Sequence, residues 1–201
     1  FLAFVAAKTR NVRLGHGITL TPHRYNHPIR IAERVATLDI LSGGRVSWGS
    51  GKSSSRTEQL AFENDVSQIH DQWLEALEMI PRMWQQDVFE WKGRHFRIPP
   101  TQVIPKPVQT PHPPIFAACS KPESAVEVGK LGIGALNFAV GNDVYLGKKV
   151  SEYRKAVAAA APKGYAKNDH FACTPVALCL GDDRKACRYG MRGANFFAES
   201  L

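Results

Sequence analysis

Five short apolar runs limit what this chain can fold into: VRLGHGITL (12–20), RVSWGS (45–50), IFAACS (115–120), IGALNFAV (133–140) and CTPVALCL (173–180). A helical segment follows each of them. Ile31, Val35 and Leu38 form one helical stripe; Ile69, Trp73, Leu77, Ile80 and Trp84 form another; Val150, Tyr153 and Val157 form a third. KPESAVEVGKLG (121–132) reads as a helix, and a last one begins near Asp183. Apolar strands joined by helical crossovers make a parallel sheet covered by helices. Two closures satisfy the alternation, a doubly wound open sheet and a (β/α)8 barrel. Neither an internal repeat nor a second domain is evident, so residues 1–201 read as one domain.

Local signals refine the elements. Residues 1–8 read as the end of a helix. Pro28 suits a first helical turn and Ser42-Gly43-Gly44 a stop, glycine being free to take the left-handed cap. Asp65 and Gln68 have the spacing of a capping box ahead of the long helix. Pro81 within that helix predicts a kink or an early end. FEWKGRHFRI (89–98) reads as two short strands about Lys92-Gly93. The proline-rich run 99–114 cannot be helical and reads as a stiff connector laid on the surface.

The chain has 201 residues, 44% apolar and 22% charged, enough for one sizeable core. No apolar stretch approaches the roughly 18 residues of a membrane helix, and no signal-peptide pattern opens the chain. It starts at Phe1 inside FLAFVAA and stops at NFFAESL in mid-helix, which reads as a piece of a longer protein truncated at both ends. The net charge of +8 is scattered, without the interleaved basic and aromatic stripe of a nucleic-acid binder. Four cysteines without a CxxC pair predict a reduced, cytoplasmic chain. His16, His23 and His27 lie close in sequence, but no carboxylate falls between them and no metal site is expected.

In either closure a ligand lies beyond the carboxyl ends of the strands. Three strand ends there carry polar chemistry: His16-Gly17, Gly51-Lys52-Ser53-Ser54 and Cys119-Ser120. GSGKSS resembles a phosphate cradle but fails as one. A P-loop would need glycine at Val46, and a dinucleotide fingerprint would need it at Ser54. An anion could instead meet Lys52, Ser120 and the start of the 121–132 helix, whose free N–H groups and dipole favour negative charge. The plainer reading makes Ser120 the N-cap of that helix, Lys52 a solvated lysine, His70 a surface histidine, and the glycines at 15, 17, 49 and 51 packing devices.

Four stretches add a resemblance. VRLGHGITL, HPIRIAERVATLDILSGGRVSWGSGKS, WLEALEMIPRMW with its following F-x-W-x-G-x-x-F, and PKPVQTPHPPIFAACSKPES are similar, in this order, to the luciferase-like, flavin-dependent monooxygenases of the bacterial luciferase superfamily. They cover most of residues 10–140. The resemblance implies the (β/α)8 barrel, with this chain holding strands three to seven. It also implies reduced FMN at the barrel mouth. Gly17-Ile18 falls where relatives often have a cis peptide under the flavin ring, and Gly51, Lys52 and Ser53 fall in the loop facing the flavin phosphate. Lys52 stands where an arginine is usual, keeping the charge but losing the bidentate fork. His70 matches a second position that is often arginine, and Cys119-Ser120 matches the pair that meets the ribityl chain and phosphate.

The activity implied is oxygenation of a small organic substrate by reduced flavin and O2 through a flavin C4a peroxide, with flavin reduced by a separate reductase and the whole protein a homo- or heterodimer. The usual catalytic histidine lies near the two strands expected to be missing, which leaves His16 as the nearby candidate for proton handling. The same resemblance admits an F420-dependent dehydrogenase or a non-catalytic flavin-binding relative.

Overall fold

The computed structural model describes residues 1–121, 123–139, 143–175 and 178–199. The elements run α1 (Leu2–Lys8), β1 (Leu14–Gly15), β2 (Thr19–Leu20), α2 (Pro28–Ser42), β3 (Val46–Gly51), α3 (Arg56–Ala61), α4 (Ile69–Gln85), β4 (Phe89–Lys92), β5 (Arg97–Thr101), β6 (Ile115–Cys119), α5 (Ser124–Leu131), β7 (Gly134–Ala139), α6 (Asp143–Ala159), β8 (Phe171–Pro175) and α7 (Asp183–Glu199). The main sheet has the order β1-β3-β6-β7-β8 with β2 also on β3, and every pairing in it is parallel. It curls into part of a (β/α)8 barrel, which decides between the two closures. β4 and β5 form a separate antiparallel hairpin.

Several boundaries follow the local signals. Pro28 opens α2, and Gly43 closes it in the left-handed conformation, its N–H returning to the last turn. Gly132 caps α5 in the same way. Arg45, just after α2, ties α1 to the body: its guanidinium donates to the carbonyl oxygens of Ala6, Thr9, Val12 and Ser42.

Other expectations are corrected. The run 12–20 is not one strand: β1 and β2 are separated by His16-Gly17-Ile18, and the Gly17–Ile18 peptide is cis. Both pieces pair with β3, so they occupy one strand position. Asp65 and Gln68 do not cap α4, which starts at Ile69. The Asp65 carboxylate instead accepts from Ser67 and Gln68 in a turn of its own. The S-x-x-E spacing that does cap a helix is Ser55 to Glu58, at the start of the short α3. α4 runs through Pro81 to Gln85, because its last turn is fixed from outside. Met83 and Trp84 are buried, the Trp84 indole N–H donates to the Ala32 carbonyl, and the Lys106 ammonium caps the carbonyls of Met83 and Gln86. Ser120 is not the N-cap of α5, whose first residue is Ser124 and whose cap position is Glu123. β8 covers Phe171–Pro175, earlier than the predicted run 173–180. Pro122, Val140, Val176 and Ala177, which fell in predicted elements, lie outside the described residues.

The core lies between the sheet and its helices. Val46 and Trp48 of β3 share one buried cluster with Val35, Met79, Met83 and Trp84, and Trp48 and Trp84 meet edge to face at 5.4 Å. The proline connector is anchored rather than loose. Val103 and His112 are buried, and Asp39 of α2, fully buried, accepts from the backbone of Val108 and Gln109. No helix among the described residues is long and apolar enough to cross a membrane.

Candidate functional site

A cleft of about 970 Å³ opens at the carboxyl ends of the parallel strands. Gly17, Ile18, Gly51, Lys52, Ser53, His70, Cys119 and Ser120 all line it, so the fold collects residues from four separate segments at one place. His16 is not among the lining residues. It lies half-buried just before the cis peptide, with its Nδ1 buried and unpartnered. Burial, and secondarily Arg34, lower the His16 pKa and favour the neutral ring. A second depression, about 740 Å³ between Leu146 and Ala158, is lined by α6 alone and contains no strand end.

The floor is shaped by glycines. A side chain at Gly49 would overlap the His16 carbonyl oxygen, and one at Gly51 would overlap the end of the Ile18 side chain. The segment 16–18 therefore rests directly on β3, with Gly17 and Ile18 turned to the cleft.

Lys52 leaves β3 into the cleft half-buried. Its Nζ lies 2.5 Å from His70 Nδ1, and His70 Nε2 lies 3.1 Å from Glu127 Oε1 at the start of α5. An ammonium has only donors, so His70 Nδ1 accepts and Nε2 carries the proton offered to Glu127. The Lys52 ammonium also sits 5.0 Å from the Trp73 ring, whose indole N–H donates to Ser50 Oγ. Burial lowers the Lys52 pKa, opposed by Glu127. Ser53 adopts φ 69°, held by its hydroxyl bond to the Glu58 carboxylate and by the Gln59 amide on its carbonyl.

At the neighbouring strand end Cys119 is buried and Ser120 exposed. Burial pushes the Cys119 thiol up to about 12, so it is a neutral packing group and not a nucleophile at neutral pH. Lys149 of α6 donates to Asn137 Oδ1, a lining side chain within β7. Reading the sequence missed Glu127, Trp73 and Asn137 as lining residues. Trp73 fits the apolar stripe of α4 and serves both core and cleft, while nothing local marks the other two. Among the described residues no group of three or more His, Cys, Asp or Glu side chains could hold a metal.

The profile of the luciferase-like monooxygenase family matches residues 1–199. An F420-dependent hydroxymycolic acid dehydrogenase of Mycobacterium tuberculosis is 30% identical over 93% of this chain and 50% of its own length. The oxygenase component of a flavin-dependent trigonelline monooxygenase of Acinetobacter baylyi is 34% identical over 61% of this chain and 34% of its own. The oxygenating constituent of 3,6-diketocamphane monooxygenase from Pseudomonas putida, solved in complex with FMN, superposes with a TM-score of 0.78 at 19% identity, over 95% of this chain and 55% of that one. The chain thus spans half or less of the length of these two curated relatives.

Proposed function

Because the chain belongs to the luciferase-like monooxygenase family, we propose that it forms the cofactor-binding part of an FMN-dependent monooxygenase acting on a small organic substrate. The observation that carries the reading is the convergence of Lys52, His70 and Ser120 on one cleft at the strand ends. Its donors suit a phosphoryl group: an ammonium, an exposed hydroxyl and the first turn of α5, with the His70 imidazole beside them. The floor suits a flat ring, since Gly17, Gly51 and Ala118 leave the sheet face without bulk.

In this reading Lys52, His70 and Ser120 hold the phosphate, and the Gly17–Ile18 peptide supports the ring. Ser53, fixed by Glu58, would shape the loop, and Cys119 would pack the strand end that lines the cofactor cleft. Reduced flavin, when bound, supplies the electrons that activate O2. His16, the candidate for proton handling, stands next to the Gly17–Ile18 lining without lining the cleft itself, and burial disfavours its protonated form, so no proton step is assigned to it. A separate reductase supplies reduced flavin, in keeping with the relative that is an oxygenase component. The whole protein is a dimer in this account. It works in the cytoplasm, where its unpaired cysteines suit a reducing compartment.

A second reading, an F420-dependent dehydrogenase, is favoured by the mycobacterial relative that matches 93% of the chain. Side-by-side titrations with FMN and F420, followed by oxygen uptake with the reduced cofactor, separate the two. Tighter FMN binding with oxygen consumption supports the monooxygenase. Tighter F420 binding with hydride transfer and no oxygen consumption replaces it with the dehydrogenase.

A further inference from the structure

The hydrogen bonds of His70 to Lys52 and Glu127 engage both of its ring nitrogens and leave no N–H for an anion. His70 Nδ1 accepts from the Lys52 ammonium at 2.5 Å, so it carries no proton. In that arrangement the Lys52 ammonium points one of its donors at a neutral ring, and His70 offers an incoming anion no N–H, because its Nε2–H is turned to Glu127 at 3.1 Å. A phosphoryl oxygen placed between the two nitrogens would need donors on both sides. Lys52 supplies one by rotation, and His70 supplies the other only by taking a proton at Nδ1.

We propose that a phosphoryl group entering this cleft opens the Lys52–His70 hydrogen bond and binds together with one proton, taken from solvent onto His70 Nδ1. Glu127 is the positioning residue that holds the ring and stabilises the imidazolium. The proposal rests on the reading of the cleft as a flavin phosphate site. The charged groups that touch His70 are Lys52 after β3 and Glu127 of α5; Glu58 of α3 and Lys121 and Glu123 in the segment after β6 line the same cleft. Cys119, with its thiol pushed up to about 12, adds no charge at neutral pH. Glu127 touches His70 directly, so an imidazolium formed there would have a carboxylate on one side and the phosphate on the other.

The sign is fixed by mass action. Since the complex holds one more proton than its separated parts, affinity falls as pH rises. Above about pH 7 a phosphate monoester is already mostly dianionic, its second pKa being about 6, so its own titration contributes little there. The test is titration of the chain with FMN and with riboflavin between about pH 7 and 8.5, using flavin fluorescence, with proton uptake measured by calorimetry in two buffers of different ionisation enthalpy.

The FMN Kd is expected to rise with pH, by up to about tenfold per unit for one coupled proton, while riboflavin binding stays flat. His70→Gln, at a half-exposed position, is expected to fold normally and to bind FMN with no pH slope and no proton uptake. Glu127→Gln is expected to move the slope to lower pH. FMN binding that is tighter than riboflavin binding yet independent of pH, without proton uptake, would overturn the proposal and leave the flavin reading intact. FMN binding no tighter than riboflavin binding would overturn the phosphate site itself.

Discussion

Gly49 and the His16 carbonyl are packed so closely that a methyl group on the Gly49 α-carbon would overlap the His16 oxygen. The obstacle is backbone and cannot rotate away. At Gly51 the obstacle is the δ-methyl of Ile18, the end of a flexible side chain. Gly49→Ala is therefore expected to destabilise the fold by about 1–3 kcal/mol, as overpacked core sites do, and to weaken flavin binding. Gly51→Ala should cost less. Chemical denaturation of both variants checks this; equal losses would mean that the 16–18 segment yields more easily than its packing implies.

Asp39 is fully buried and accepts from the backbone N–H groups of Val108 and Gln109 at 2.9 and 3.0 Å and from the Gln109 side chain at 2.6 Å. It joins α2 to the proline connector just ahead of β6. Asp39→Ala should lower unfolding free energy by about 2–4 kcal/mol, since each buried donor left without a partner costs about 1–3 kcal/mol. Asp39→Asn, which keeps one acceptor oxygen, should fall between. Urea midpoints provide the measurement, and a wild-type midpoint for Asp39→Ala would contradict the anchor.

His112 links stability to pH. Ala166 N–H donates to its Nε2 at 2.9 Å, and its Nδ1 lies 2.8 Å from the Pro113 carbonyl, so the folded ring is neutral. Burial lowers its pKa below the unfolded value of 6.5, against a smaller opposing effect of the Pro113 bond. As pH falls, the unfolded chain takes up the proton first. Stability should hold above about pH 6.5 and decline as pH drops toward the folded value. His112→Gln should make that acid decline shallower in denaturation curves at about pH 7.5, 6.5 and 5.5.

The four thiols should divide three to one. Cys173, Cys179 and Cys187 are exposed, while Cys119 is buried and pushed up to about 12. Iodoacetamide at neutral pH should modify the first three in the native chain and Cys119 only after denaturation, as mass spectrometry of peptides would show.

Much of this architecture is legible in the residues because the signals are local. Pro28 and Gly43 bound α2 within their own turns, and Gly132 ends α5. The break in the run 12–20 is not local. Val12, Leu14, Ile18 and Leu20 alternate as a continuous strand would, and the interruption is accommodated by Gly49 and Gly51 more than thirty residues later. Pro81 misleads for the same reason, since the turn beyond it is held by Ala32 and Lys106. In the cleft, the four strand-end segments are readable because a parallel sheet brings strand ends together. Glu127 is not, because its contact with His70 depends on how α4 and α5 meet around the Lys52 loop. Ser120 looks like a cap from spacing alone, but α5 begins four residues further on.

Lys52 is the fixed positive charge on which the account turns. The most direct measurement is the ratio of riboflavin to FMN dissociation constants for the wild-type chain and for Lys52→Ala. FMN should bind more tightly than riboflavin, and Lys52→Ala should weaken FMN alone by about 1–3 kcal/mol, the value of a charge-assisted contact. Equal affinities for FMN and riboflavin, or FMN affinity unchanged by Lys52→Ala, would contradict the placement of a flavin phosphate at this cleft.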